Sequence, residues 1–502
     1  MKYRREIINR GKIILLSSVF CLLLISSKAN FDFNENCQMA MRGALDLRLK
    51  DARLLIAAEK ELHPDNGYTI YLEHYCESIE LIATEDIAVY ERLIDSYSDR
   101  MNALEKLDDG TPVSRWLQAE MLFQTGLAQL KFGTRINGAT KILSSYERIR
   151  EHRRKYPQFY QNQKLTGVFN IILDNVPSFL QWAADLFGYS GDSTLGLFQL
   201  QDYADKSKNI PGFAEDAMIM VNLGFLLARQ EEDAFEWLSN QEQEMMNLTL
   251  ARYLYANAAS FVYRNDLAIK TLSEIDKTKL QVNFYAFPYS LGRAKLNHLE
   301  KDANVYLEDF LNNYPVLDYK KATCNRLAFY YLIEGNTDKY EEYKQMVLTV
   351  GQDLRDRDQE AIYESTDPLI PHVSLLKARL LCDGGYFGEA LEMLETINLS
   401  SLENKAYLLE YYYRKGRIFQ LQGQSDQAIT ELSRAYQEGK SDPFTFATRA
   451  ALYLGKIYEE KKDYSTAYQW YQKCLEIYSS ANSTEGVKSD AEKGMKRIKG
   501  RF

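Results

Sequence analysis

Along most of this chain apolar residues recur at helical spacing, in segments divided by short turns rich in glycine, proline, aspartate and asparagine. Met39, Ala40, Gly43, Ala44, Leu47, Leu54, Leu55 and Ala58 form the first such stripe, and Pro64-Asp65-Asn66-Gly67 ends it. The pattern predicts helices over 38–61, 68–83, 88–107, 116–131 and 136–155. A strongly apolar run over 168–187 follows, interrupted by Asn175-Val176-Pro177 and ended by Gly188-Tyr189-Ser190-Gly191-Asp192-Ser193. It reads as a buried helix and a glycine turn, with Asp192 or Ser193 as N-cap of the next helix.

Towards the C-terminus the pattern becomes a repeat. Gly416, Phe419, Gly423, Ala428, Leu432 and Ala435 are matched in order by Gly455, Tyr458, Tyr464, Ala467, Tyr471 and Cys474. In both sets two small residues lie 12 apart and a third follows 7 later. Antiparallel helices can cross closely only where each presents a small side chain, and large neighbours then fill the space beside the crossing. A third copy starts at Ala378, with Leu381, Gly385, Ala390 and Leu394. Over 213–350 the pattern is partial: Gly224 with Leu227, Gly292 with Tyr306 and Phe310, and Ala328 with Tyr331 and Gly335 keep it, while Glu236, Asn304 and Tyr340 occupy later small positions.

This arrangement resembles the tetratricopeptide-repeat (TPR) family, although the small residues at 378, 416 and 455 are 38 and 39 apart against a period of about 34. The resemblance implies an all-α, right-handed α-solenoid of TPR-like helical hairpins. We divide the chain into a signal segment (1–29), an N-terminal helical region with the Gly-Tyr-Ser-Gly-Asp turn (30–210), degenerate TPR-like hairpins (211–366), and TPR repeats with an amphipathic capping helix over 484–500 (367–502). The proline-interrupted apolar run and its Gly-Tyr-Ser-Gly-Asp turn also resemble the eukaryotic inclusion-body clearance TPR family. The arginine that family carries after the aspartate is replaced here by Ser193.

Composition narrows the function. With 46% apolar residues and 10 prolines in 502, the chain can bury a core. Its 36 tyrosines suit the gaps between helices, where the ring packs and the hydroxyl reaches water. Lys2, Arg4, Arg5, Arg10 and Lys12 precede an apolar run over 13–27, and Ser27-Lys28-Ala29 places small residues for cleavage before Asn30. The alternative is an uncleaved N-terminal anchor. Loss of residues 1–29 takes away six basic residues and one acidic residue, moving the formal charge from −9 to −14. So acidic a chain is a poor general partner for nucleic acid. Signal segment and Asn-, Lys- and Tyr-rich composition together resemble envelope proteins of Gram-negative bacteria such as the Bacteroidota. Cys37, Cys76, Cys324, Cys382 and Cys474 remain, without a CxxC, and read as buried thiols.

No phosphate loop, dinucleotide fingerprint, HExxH or G-x-S-x-G occurs, and no cofactor or metal is expected. Arg148, Arg150, Arg153, Arg154 and Lys155 read as cations placed by a helix C-terminus, and the mixed-charge stretch 355–360 as a solvated helix face. One regularity points to binding: the residue after the crossing position is basic in Arg293, Arg379, Arg417 and Lys456. In TPR proteins this position tends to face the concave groove, where His372, Tyr413 and Gln420 are also expected. Such a cationic ladder would suit an acidic protein or peptide, unless neighbouring carboxylates neutralise it. The expectation is a noncatalytic scaffold for protein–protein interaction in the cell envelope. A glycan- or nutrient-binding accessory protein would instead need an exposed tryptophan platform among Trp116, Trp182, Trp237 and Trp470, and an enzyme would need a deep polar pocket near 165–200.

Overall fold

The structure is a computed structural model that describes residues 31–108, 110–175, 190–241, 243–353, 356–441, 445–479 and 485–501. Residues 1–29, expected to form a signal segment, the Gly188-Tyr189 half of the turn and Trp182 lie outside the described residues. The chain is all-α, a TPR-like solenoid of paired helices, and it forms two compact units.

The first unit runs to Gln230 and includes Leu248–Leu250 and Thr278–Val282. Its helices are α1 (Glu35–Leu45), α2 (Leu49–Leu62), α3 (Gly67–Thr84), α4 (Ile87–Lys106), α5 (Pro112–Lys131), α6 (Arg135–Lys155), α7 (Asn162–Asp174), α8 (Ser193–Ser207) and α9 (Phe213–Leu227). The single helix expected over 38–61 is two. Leu47 adopts φ +58° and puts its side chain fully in the core, so a buried leucine, not a polar turn, marks the break. Asp192 is the N-cap of α8, accepting from the Leu195 backbone N–H at 3.0 Å. Ser190 is exposed, and Ser193 donates to Asp174 at 2.5 Å.

α5 and α6 form a repeat that the sequence reading did not pick out. Gly126 and Gly138 are 12 apart with Ser145 7 further on, the spacing seen at the C-terminus. A Cβ on Gly138 would lie 2.8 Å from the Gly126 carbonyl oxygen, and Ser145 Oγ donates to the Ala119 carbonyl at 2.7 Å.

Charged and polar groups hold the first unit's centre. Lys164 Nζ on α7 lies 2.9 Å from Glu120 on α5 and 3.0 Å from Asp216 on α9, all but sealed from water. Tyr75 and Tyr203 also donate to Asp216, at 3.0 and 3.3 Å. Burial works against the Lys164 charge, but the two carboxylates outweigh it and hold its pKa well above the lysine range. Burial raises the Glu120 carboxyl.

His74, on α3, is fully buried and packs beside Thr125, whose Oγ1 is 3.3 Å from Nε2. Burial, assisted by the Arg100 charge, pushes its pKa down to about 3. An unfolded imidazole titrates near 6.5, so the unfolded chain takes up the proton first as pH falls. The neutral ring's contribution is therefore present above about pH 6.5 and is lost on acidification. Linkage gives a loss of about 2 kcal/mol between pH 7 and 5. Urea titrations at both pH values should show His74→Gln flattening that slope; an unchanged slope would place the acid sensitivity elsewhere.

The second unit comprises Glu231–Asn247, Ala251–Lys277 and Asn283–Phe502. Its helices continue the chain as α10 (Glu231–Ser239), α11 (Gln243–Met246), α12 (Thr249–Phe261), α13 (Asn265–Ser273), α14 (Ala286–Asn297), α15 (Ala303–Asn313), α16 (Lys320–Ile333), α17 (Thr337–Thr349), α18 (Asp356–Thr366), α19 (Val373–Gly384), α20 (Phe387–Glu395), α21 (Lys405–Leu421), α22 (Ser425–Gly439), α23 (Thr445–Glu460), α24 (Tyr464–Glu476) and α25 (Glu485–Ile498). The crossing residues behave as their size requires. Ala378, Ala390, Ala428, Ala435, Ala467 and Cys474 are fully buried. A Cβ on Gly416 would meet Leu432 at 2.7 Å, and one on Gly455 would meet Tyr471 at 2.5 Å. Gly455→Ala is thus expected to lose about 1–3 kcal/mol to overpacking, less the up to ~1 kcal/mol by which alanine favours a helix. Gly388→Ala, whose Cβ meets nothing within 4 Å, keeps only the favourable part. Melting temperatures of the two variants should move in opposite directions, and a shared direction would refute the close-crossing explanation.

All five described cysteines are buried and free, and burial pushes the Cys37 and Cys76 thiols up to about 12. No helix among the described residues is long and apolar enough to cross a membrane.

Candidate functional site: an arginine-lined groove

The first helices of successive hairpins in the second unit bring their basic residues to one face. α14 contributes Arg293, α16 Arg326, α19 Arg379, α21 Arg414 and Arg417, and α23 Arg449, while α18 adds Arg357. Each of these arginines is half-buried. Arg326, Arg357, Arg379, Glu360, Glu364 and Asp383 line a void of about 20 Å³. An adjoining cavity of about 130 Å³ is bordered by Arg379, Arg414 and Arg449 together with Phe329, Tyr407 and Phe446. The surface is thus cationic and aromatic at once.

The counter-charges are few. Arg379 pairs with Glu364 at 2.6 Å and lies 3.7 Å from Glu360. Arg449 is also 3.7 Å from Glu360, and Arg414 pairs with Glu410 at 2.9 Å. With Asp383, four carboxylates face seven arginines, which leaves three positive charges uncompensated. At the cavity's edge Lys344 and Asp367 cancel. Burial pushes the Glu360 carboxyl up, but Arg379, Arg449, Arg357 and Arg326 outweigh it and hold the group below its ordinary range. Burial and the Arg357 charge push Arg293 down to about 10.

The residues expected to line a groove take different places. Arg293, Arg379 and Arg417 belong to this face. Arg417 stacks over the Tyr453 ring at 3.7 Å and donates to Gln420. Lys456, one repeat on, pairs with Asp490 of α25 at 2.9 Å. Tyr413 is buried against Phe446 and Tyr453, so it supports the arginines from beneath. His372 is the N-cap residue of α19, packed edge-on against Tyr407.

Arg326, Arg357, Arg414 and Arg449 complete the face without having been anticipated. Two of them carried a signal: Arg326 and Arg414 each stand two positions before a crossing residue, Ala328 and Gly416. The expectation of a solvated face at 355–360 fails at Asp358, while Gln359 is exposed and Arg355 lies outside the described residues. Asp358 is fully buried and accepts from the backbone N–H groups of Tyr319 and Ala322 at 2.8 and 2.9 Å. That inward anchor turns Arg357 and Glu360 into the groove.

Of the tryptophans, Trp116 is fully buried, Trp470 packs edge-on against Tyr436, and Trp237 is half-buried. No group of three potential metal-ligating side chains occurs among the described residues.

The hairpins and their small-residue crossings define the chain as a TPR-like α-solenoid. No protein-family model matches the sequence, and no curated protein does. Solved structures similar to it include the TPR domain of P58(IPK), at 13% identity and TM-score 0.21 over 83% of this chain and 98% of that one. Others are a monomeric IFIT1 mutant with m7Gppp-AAAA (11%, 0.34, 89% and 96%) and the Cut9–Hcn1 hetero-tetramer of the APC/C (11%, 0.24, 93% and 97%). The likeness is one of fold alone.

Proposed function

We propose that this protein is a noncatalytic scaffold of the cell envelope that captures an acidic segment of a protein partner in the arginine-lined groove of its second unit. One observation carries the reading: in a chain of formal charge −9, five arginines and Lys344 line two adjoining cavities with five carboxylates, and Arg293 and Arg417 add two further cations beside them. Arginine forks suit carboxylates, and the aromatic rings beside them supply apolar contact for the segment's other side chains. Stacked helical repeats offer such extended faces to peptides. The envelope location rests on the signal-like residues 1–29.

The test compares the wild-type chain with an Arg379→Gln, Arg417→Gln, Arg449→Gln variant. Glutamine is chosen because a glutamate would sit against Glu360 and Glu364 and disturb the fold. Crosslinking in native envelopes should capture a partner that the triple variant loses and that Lys456→Gln keeps, with the crosslink in an acidic stretch. At about 1.5–3 kcal/mol for a hydrogen bond to a charged group, affinity should fall by a factor of a hundred or more. Equal capture by the triple variant would sink the proposal.

A further inference from the structure

Three cations of this groove have no carboxylate at ion-pair distance. Arg293, Arg326 and Arg357 act on one another electrostatically, and Tyr289 faces all three. Among the described residues no carboxylate oxygen comes within 4.0 Å of any of these guanidinium groups, whereas Arg379, Arg414 and Arg449 each have one that close. Arg326 has a neutral partner, Asn297, at 3.4 Å. Arg293 Nε and the Tyr289 hydroxyl are buried without a hydrogen-bond partner. Tyr289 is held rigidly, its ring 4.8 Å from that of Tyr319 and 5.4 Å from that of Phe310. Arg293 follows Tyr289 by one helical turn on α14, so both donors point the same way.

Three neighbouring guanidinium groups repel each other, and buried donors without acceptors are costly. Both costs are relieved by one ligand that brings more than one negative charge and at least three acceptor oxygens. A carboxylate brings one charge and two oxygens; a phosphoryl group brings close to two charges and three. We propose that Tyr289, Arg293, Arg326 and Arg357 form a subsite for a single phosphoryl group, carried as free phosphate or as a phosphate monoester. All three arginines are half-buried and keep part of their surface in solvent. Glu360 and Asp383 share a void with Arg326 and Arg357, and together with Tyr289 they outweigh burial and hold Arg357 above the ordinary arginine range, which leaves Arg293 and Tyr289 as the donors most in need of the anion. The depressed Arg293 pKa, caused by burial and then by Arg357, agrees with a cation whose counter-charge is external. This deepens the reading of the face as anion-binding, and it can fail separately from acidic-peptide capture.

The experiment is calorimetric titration of the full chain at pH 8 with inorganic phosphate, with O-phospho-L-serine and with acetate, at matched ionic strength. Phosphate or the ester should bind at least tenfold more tightly than acetate, and the tighter of the two identifies the source. Arg293→Gln and Arg357→Gln should each weaken that binding about tenfold or more, and Tyr289→Phe several-fold. Lys456→Gln, whose lysine pairs with Asp490 away from this face, should leave phosphate affinity within about twofold. Without ligand, Arg293→Gln should melt no lower than wild type, since it releases repulsion. Acetate binding as well as phosphate, undiminished affinity in the arginine variants, or a lower melting temperature of ligand-free Arg293→Gln would each overturn the subsite.

Discussion

Replacing Lys164 with methionine is expected to remove about 3–5 kcal/mol from the first unit at pH 7, the usual cost of taking one partner from a buried ion pair. Lys164 is one cation between two carboxylates, each side chain no more than 5% exposed. Methionine fills most of its volume, so the loss is electrostatic rather than a cavity effect. The two carboxylates are not equivalent. Asp216 also accepts from Tyr75 and Tyr203, whereas Glu120 Oε1 has no partner and burial raises its pKa. Glu120 is therefore the group that takes a proton once Lys164 is gone. The penalty should shrink towards pH 5, and Glu120→Gln in the otherwise intact protein should cost under about 1 kcal/mol, because Lys164 keeps Asp216 as its counter-charge and the amide oxygen can still accept from it. Hydrogen exchange of α5 and α7 amides isolates this unit from the second. Protection falling by less than about 1 kcal/mol in Lys164→Met would mean that the triad contributes little.

That triad also shows where reading the sequence stops. Crossing positions were legible because a backbone approach leaves a local trace: Gly416, Ala428 and Ala435 must be small, and each is within one hairpin of the next. The α5–α6 crossing carries the same trace in Gly126, Gly138 and Ser145. It was masked by Gln118, Glu120, Thr125 and Gln129, polar side chains that are all buried and so break the apolar stripe inside the core. Glu120, Lys164 and Asp216 come from three separate helices, and no spacing announces them. The groove divides in the same way. Arg293, Arg379 and Arg417 repeat with the hairpins and could be found by period. Arg357 reaches the groove only because Asp358 is drawn inward to cap α16, a tertiary event inside what looks like a surface run of charge. Lys456 keeps the repeat position but meets Asp490 of the terminal helix, which the ladder pattern does not include.

The two carboxylates at the centre of the groove set the second large effect. Glu360 and Glu364 lie where an acidic ligand's own carboxylates would have to go, and both already engage Arg379. They hold the arginines in place and compete with the partner. Changing both to glutamine raises the uncompensated charge by two while preserving shape and the acceptor oxygen that takes the Asn325 side-chain N–H at 2.6 Å. Binding of a fluorescein-labelled oligoglutamate peptide should tighten about 10–100-fold at low salt, a tenfold gain being 1.4 kcal/mol per removed charge, and the gain should fade as salt screens it. The same change should cost the second unit about 1–3 kcal/mol, less than for sealed pairs because these side chains are a fifth to a third exposed. The pH dependence has a defined sign. Arginines hold Glu360 below the ordinary carboxylate range, so its stabilising contribution is present at neutral pH and is lost only as pH falls through that lowered value. Acid therefore discharges the peptide's ordinary carboxylates before it protonates Glu360, so wild-type binding should weaken rather than tighten as pH falls, and the double variant's gain should be seen only where the peptide stays ionised. Anisotropy titrations across pH and salt measure all three quantities. Weaker binding by the double variant would show that Glu360 and Glu364 serve mainly to aim Arg379 and Arg449 at the partner, and the competition argument would fall.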